Sequence, residues 1–149
     1  MIEFTHYSEN QIMVRRPDKS AFIVTLRKGQ SPSLCCRAEA IIYINALIQQ
    51  LRDAVSDLRP WDDWRMVEFD YLARSVQHTS FIGNSYSDDI RGVLRKVYRL
   101  RFHSNRINVI CNEISAVIDR YFEPVEPQWF PEQRNVSEQL ELFAEKVWG

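Results

Sequence analysis

The stretch LCCRAEAIIYINALIQQLRDAVSDL, residues 34–58, decides the fold. Its large apolar side chains recur at alternating steps of three and four residues, the spacing of one face of an α-helix. These residues are Leu34, Ile41, Ile44, Ile48, Leu51, Val55 and Leu58. Ser31 and Pro32 have the pattern of an N-cap and a first helical residue. Because Ile42 and Leu47 widen the apolar stripe, the pattern favours a helix bundle over a two-stranded coil.

A second helix is predicted from Trp61 to about Gln77, with a bulky apolar face. That face consists of Trp61, Trp64, Val67, Tyr71 and Leu72. The polar segment His78–Ser87 contains Gly and predicts a loop. Its last residue can cap a third helix that carries Asp88 and Asp89 in its first turn, where acids complement the helix dipole.

The later part of the chain predicts one long and one short helix. The long segment repeats the alternating apolar steps with Ile107, Ile110, Ile114, Val117 and Tyr121. The preceding His103–Asn105 either breaks the third helix or lets it run straight on. Asn135 and Glu138 fit a capping box for a short helix over residues 136–148.

The N-terminal thirty residues differ from the rest of the chain. Gln11–Arg15 and Ala21–Leu26 are rich in β-branched and apolar residues, and Arg16–Ser20 between them has Pro where a type I turn favours it. We therefore predict a mainly α fold: a bundle of four or five helices with a short N-terminal β-hairpin. The expected single domain, 1–149, consists of a hairpin region 1–30, a helical core 31–122, a Pro-rich connection 123–134 and a C-terminal helix or docking peptide 135–149.

Bulk composition narrows the class of protein. The hydrophobic content of 45% and charged content of 26% are ordinary globular values. No apolar run approaches the roughly eighteen residues of a membrane span, and the N-terminus has no basic and apolar secretory pattern. The three cysteines have neither a disulfide framework nor metal-ligand spacing. We therefore expect a cytoplasmic protein without a membrane partner.

A basic segment, residues 90–112, contains no acidic residue although the formal net charge of the chain is −1. On a helix, Arg91, Arg95, Arg99 and Arg106 fall within an arc of about 80°, and Lys96 and His103 extend it to about 140°. Guanidinium groups match phosphate geometry, and aromatic rings can stack on unpaired bases. The predicted nucleic-acid site is therefore Arg91, Arg95, Lys96, Arg99, Phe102, His103 and Arg106.

The same arginines have a second interpretation, in which they pair with acids of neighbouring helices or are simply solvated. A net charge near zero favours it. Arg101 stands apart because it projects from the apolar side of the predicted helix. We expect it to pair with a carboxylate in the core or to lie at a subunit contact.

A pentapeptide near the C-terminus, Gln139-Leu-Glu-Leu-Phe143, resembles the motif Q-L-x-L-F by which many bacterial DNA-handling proteins dock on the sliding clamp. The resemblance implies a partner-binding role for Gln139, Leu140, Leu142 and Phe143, in which the amide forms hydrogen bonds and the apolar side chains fill pockets. The alternative is an ordinary terminal helix, because Val136, Leu140, Phe143 and Val147 form an amphipathic stripe.

Catalysis is not expected. The pairs Asp62-Asp63 and Asp88-Asp89 stand in helix first turns, so dipole complementation explains them better than metal binding. Helical ribonucleases of the HEPN type separate Arg from His by four to six residues, whereas Arg99 and His103, like Arg74 and His78, are separated by only three. We predict no catalytic residues, no metal ligands and no cofactor.

Three functional hypotheses remain. The leading one is a non-enzymatic accessory subunit of a bacterial or phage nucleic-acid complex, similar in fold class to the small helical subunits of CRISPR effector complexes. Such a subunit contacts the phosphate backbone without reading sequence. The second is a protein-docking adaptor that engages the DNA sliding clamp or another partner through the C-terminal peptide. The third is a homo-oligomeric structural protein.

Overall fold

The computed structural model describes residues 1–18, 20–58, 63–77 and 86–122. These residues form three strands and four helices. They are β1 (Glu3–Ser8), β2 (Gln11–Arg15), β3 (Ala21–Thr25), α1 (Pro32–Leu58), α2 (Trp64–Gln77), α3 (Tyr86–Arg99) and α4 (Asn105–Tyr121). The mainly α class is confirmed. The short helix predicted over 136–148 and the connection 123–134 lie outside the described residues.

The chain divides into two compact units. The first unit contains Met1–Ile41 and Arg120–Gly149, and the second contains Ile42–Asp119. The division therefore falls inside α1 and close to the end of α4.

The first unit contains an antiparallel sheet with strand order β1-β2-β3. The predicted hairpin is confirmed as β2 and β3, in which Arg15 pairs with Ala21 and Gln11 with Thr25. Asp18 Oδ1 fixes the connecting turn by accepting hydrogen bonds from the Ser20 backbone amide at 2.9 Å and the Ser20 hydroxyl at 2.6 Å. The prediction missed the third strand, β1.

Strands β1 and β2 together form a side of the sheet that faces the core. Alternate residues Ile2, Phe4, Ile12 and Val14 are buried, as expected for a sheet with one face on the core. The Tyr121 ring packs edge-on against Phe4 with centroids 5.3 Å apart, and its hydroxyl donates to the Ile2 carbonyl at 2.9 Å. The end of α4 is thereby fixed to the first strand.

The middle of the α1 seam and the α4 seam are buried as predicted, but the ends of the α1 seam and its widening by Ile42 are not. Leu34, Ile42 and Leu58 are 55%, 52% and 39% exposed. The fully buried residues of the second unit include Ile44, Ile48, Leu51, Val55, Ile107, Ile114 and Val117. Side-chain contacts tie α1 to its neighbours: the Tyr43 hydroxyl donates to Glu113 of α4, and the Gln77 amide of α2 donates to the Asn45 carbonyl at 3.1 Å.

The predicted core face of α2 is wrong. Trp64, Val67 and Tyr71 are 67%, 55% and 78% exposed. The buried residues are instead Met66, Phe69, Asp70, Ala73 and Val76. An aspartate can occupy the core face because Arg52 of α1 donates to its carboxylate at 2.8 Å. Trp61 lies outside the described residues.

Helix α3 ends in a Schellman motif. The Phe102 amide donates to the Val97 carbonyl and the Arg101 amide to the Tyr98 carbonyl, both at 3.1 Å. Arg101 occupies the left-handed position of the motif with φ of 59°, and its side chain is exposed. The expectation of a core-paired Arg101 is therefore wrong. The helical projection does not apply to Arg101, because α3 ends at Arg99 and Arg101 has a left-handed backbone.

Candidate nucleic-acid interface

Helix α3 carries four of the predicted basic residues, Arg91, Arg95, Lys96 and Arg99, and the sequence explains why it forms there. Asp88 and Asp89 lie in its first turn, and Lys96 and Arg99 lie in its last turn, so both ends complement the helix dipole. Its buried side is narrow and consists of Tyr86, Ile90, Val93 and Val97. The remaining circumference is divided between two flanks, each beside a neighbouring helix, and an outward side.

One flank of α3 is joined to α2. Lys96 forms an ion pair with Glu68, and both side chains are partly shielded from water. Lys96 is therefore engaged within the protein rather than presented to a partner. Partial shielding makes this pair a better orienting contact than a fully exposed one.

The opposite flank of α3 is joined to α4. Arg91 donates to the Ser115 hydroxyl at 2.9 Å and forms an ion pair with Asp119. The two partners engage Arg91 within the protein, while burial of the apolar side of α3 sets its rotation. The acids that complete the flank contacts, Glu68 and Asp119, lie outside the basic segment 90–112.

Arg106 lies on α4 and pairs across to α1. Its guanidinium is 2.7 Å from the Asp57 carboxylate, and the two side chains are 55% and 71% exposed. An exposed pair of this kind contributes about 0–1 kcal/mol, so a phosphate can compete for Arg106 at little cost.

Arg95 and Arg99 differ from the other three basic residues. Both are exposed, and within the described part of the chain no carboxylate lies within ion-pair distance of either. They are four residues apart, which places them on the same side of α3 and about 6 Å apart along its axis. That side lies between the Lys96 flank and the Arg91 flank. The two arginines therefore lie opposite the buried side of α3.

The predicted stacking role of Phe102 is wrong. Its ring is fully buried and packs edge-on against Phe69, with centroids 5.8 Å apart. The Schellman motif turns this residue inward, as is common for the position after the left-handed residue. His103 is exposed and stays on the surface beyond the end of α3.

The structure therefore divides the predicted site. Arg95, Arg99 and His103 are exposed, Arg106 is in an exposed ion pair, Arg91 and Lys96 are tied to neighbouring helices, and Phe102 is in the core. Three aromatic residues on these helices are exposed: Trp64 and Tyr71 of α2, from the predicted apolar face, and Tyr98 of α3 at 78%. A second apolar stripe of α2 has the same three- and four-residue steps and consists of Met66, Phe69, Ala73 and Val76. This stripe was the sequence signal that could have predicted exposure of Trp64 and Tyr71.

The described residues contain no group of three or more His, Cys, Asp or Glu side chains that could hold a metal ion. None of the described helices is long and apolar enough to cross a membrane. The three cysteines are free, and burial raises the thiol pKa of Cys35, of Cys36 and of Cys111, the last to about 11. High pKa values suppress thiolate, the nucleophilic form.

The predicted partner-binding peptide, Gln139, Leu140, Leu142 and Phe143, lies outside the described residues. Comparison with protein-family models, with curated proteins and with solved structures found no match to this chain.

Proposed function

We propose that this protein is a non-enzymatic accessory subunit of a nucleic-acid complex and contacts the phosphate backbone through α3. The observation that carries the proposal is the exposure of Arg95 and Arg99 on one side of α3 without a described carboxylate partner. Unpaired guanidinium groups in water are the residues best suited to phosphate, because their planar forks donate two hydrogen bonds at once.

The contact is narrower than the full basic segment. Arg91 and Lys96 support the fold through Asp119 and Glu68, while Arg106 can exchange Asp57 for a phosphate. Two or three phosphate contacts give sequence-independent binding that falls steeply with salt. Binding of this strength suits a subunit that acts inside a larger complex rather than alone. Three free cysteines are compatible with a cytoplasmic complex, and a bacterial or phage origin belongs to the same proposal.

The test is a salt titration of oligonucleotide binding, measured by fluorescence anisotropy with the full chain. For a single strand, the slope of log K against log salt is about −0.7 per phosphate contacted. The double variant Arg95→Gln with Arg99→Gln should therefore make the slope less negative by about 1.4 and weaken binding at low salt.

The matched control removes two other exposed positive charges, by Arg27→Gln with Lys28→Gln in the β3–α1 connection. This control removes the same number of positive charges as the α3 double variant, but it should leave the slope of log K against log salt unchanged. Equal effects of the two double variants would show that only overall charge matters, and the α3 interface would then be rejected. No binding of single strands or duplexes at low salt would reject the function itself.

The pattern Gln139-Leu-Glu-Leu-Phe143 favours a second candidate, a docking adaptor for the sliding clamp. Leu142→Ala with Phe143→Ala should abolish capture by a purified bacterial clamp while leaving the urea unfolding curve unchanged. Capture that persists in this variant would contradict docking through the peptide, and loss of folding would assign the two side chains to the core.

A further inference from the structure

The outward side of α2 carries large aromatic side chains. Trp64 and Tyr71 expose 67% and 78% of their surface, and Val67 lies between them at 55%. They are seven residues apart, so they lie on one side of the helix about 10 Å apart along its axis. Aromatic residues this exposed and this close together commonly mark a binding surface.

The ion pair between Lys96 and Glu68 connects this aromatic side with the arginines of α3. Glu68 lies near the start of α2, and Lys96 lies in the last turn of α3. This contact brings the two helices side by side, so their outward sides are neighbours, with the helix axes about 8–10 Å apart.

The ion pair lies near all four exposed side chains along the chain. Trp64 precedes Glu68 by four residues and Tyr71 follows it by three. Arg95 precedes Lys96 by one residue and Arg99 follows it by three. At 1.5 Å per residue, each of the four lies within about 6 Å of the ion pair along its own helix axis. The surface thus contains two exposed aromatic rings and two exposed guanidinium groups around one ion pair.

We propose that this surface binds single-stranded nucleic acid, with bases stacked on Trp64 and Tyr71 and phosphates held by Arg99 and Arg95. The inference rests on the proposed function and narrows its ligand. A stacking ring beside a phosphate-binding cation is the arrangement that recognises unpaired nucleotides without reading sequence. A duplex keeps its base faces inside the stack, so it can use the arginines and not the rings.

The charges around the surface agree with a polyanion. Glu68 is neutralised by Lys96, and Arg65 beside Trp64 neutralises Asp63 at 2.8 Å. The acids of α3, Asp88 and Asp89, lie in its first turn, at the end away from the two arginines. A phosphate path along the C-terminal half of α3 therefore meets no exposed acid of α3.

A second copy of the chain is the weaker alternative. In a symmetric pair of these surfaces, the exposed arginines of one copy would face the like charges of the other. Such a pair would bring positive charges together, whereas a polyanion neutralises them.

The experiment compares a short labelled poly-thymidine strand with a duplex of equal length, using fluorescence anisotropy and the full chain. Trp64→Ala and Tyr71→Ala should each weaken binding of the single strand by about 5- to 150-fold, the range that loss of one stacked base gives. The salt slope and the duplex affinity should stay unchanged, because no phosphate contact is removed. Tyr7→Ala is the matched control, since Tyr7 is an exposed aromatic residue on β1.

The outcomes separate this inference from the proposed function. If Arg95→Gln with Arg99→Gln weakens both ligands while the aromatic variants bind like wild type, the single-strand inference is overturned and the phosphate interface stands. If the arginine variant is also without effect, both are overturned. If sedimentation at two concentrations shows self-association that Trp64→Ala removes, and strand binding is unaffected, the surface belongs to a second copy and the inference is overturned. Circular dichroism spectra should be unchanged in all variants, since each altered side chain is exposed.

Discussion

Removal of the Asp70 carboxylate should destabilise the second unit strongly. Among the residues that the structure describes, Asp70 is the only charged one that is buried, with 7% of its side chain exposed. It accepts hydrogen bonds from Arg52 Nε at 2.8 Å and from Arg52 Nη2 at 3.5 Å, and Arg74 approaches it at 3.8 Å. Asp70→Ala therefore leaves the Arg52 guanidinium, itself only 20% exposed, without its charge partner.

The magnitude follows from how much of that charge remains solvated. Breaking one partner of a fully buried pair costs about 3–5 kcal/mol. Arg52 keeps partial access to water and also donates to Gln49 at 3.0 Å and Gln77 at 2.8 Å. These contacts reduce the penalty, so we expect a loss of about 2–3 kcal/mol in the free energy of unfolding. For a chain of this size the melting temperature should fall by about 5–10 °C.

Urea unfolding followed by far-ultraviolet circular dichroism measures this loss. The matched control is Asp57→Ala, which removes the acid from the exposed pair with Arg106 and should cost less than about 0.5 kcal/mol. In a double-mutant cycle, Arg52→Ala should reduce the effect of Asp70→Ala by at least about 1 kcal/mol. If Asp70→Ala costs no more than Asp57→Ala, the view that Asp70 and Arg52 anchor α2 to α1 is wrong.

Three further predictions concern stability and reactivity. Ile48→Ala should lower the free energy of unfolding in urea by about 2–5 kcal/mol, whereas Ile42→Ala on the exposed side of α1 should change it by less than about 0.5 kcal/mol; similar losses would contradict the burial of this seam. Arg101→Gly should raise the free energy of unfolding by about 0.5–1 kcal/mol, because glycine adopts the left-handed backbone without strain. A destabilised variant would contradict the Schellman motif. Because burial raises the pKa of Cys36 and of Cys111, their reaction with Ellman's reagent at pH 8 should be far slower in the native protein than in urea, and equal rates would contradict their burial.

The helices α1 and α4 could be predicted from the sequence because their periodicity admits one solution. In both, large aliphatic residues occupy one stripe and few occupy the opposite side. Burial of that stripe is the only arrangement that removes most apolar surface from water. Pro32 also marked the start of α1 correctly, since a proline is tolerated at the first helical residue.

The face of α2 could not be predicted in this way because it has two apolar stripes. One contains Trp64 and Tyr71, and the other contains Phe69 and Val76. Size favoured the first stripe, but the second is buried because Arg52 of another helix neutralises the aspartate on it. The contact between Arg52 and Asp70 joins residues 18 positions apart in the sequence and decides which stripe is buried. The periodicity of α2 carries no information about this contact. Strand β1 could not be predicted for a related reason. Its sequence is mostly polar, and it is a strand because it pairs with β2.

The basic segment shows how much of a binding surface depends on contacts made elsewhere. The sequence identified the cations, but their availability depends on Glu68 of α2, Asp119 of α4 and Asp57 of α1. The acids of α2 and α4 neutralise the cations on the two flanks of α3, while burial of its apolar side turns Arg95 and Arg99 outward. Loss of a flank pair should therefore free one cation and leave the exposed pair on the same side of the helix. For this reason the number of positive charges on α3 predicts its affinity for phosphate poorly. The direction of each charged side chain is the better predictor.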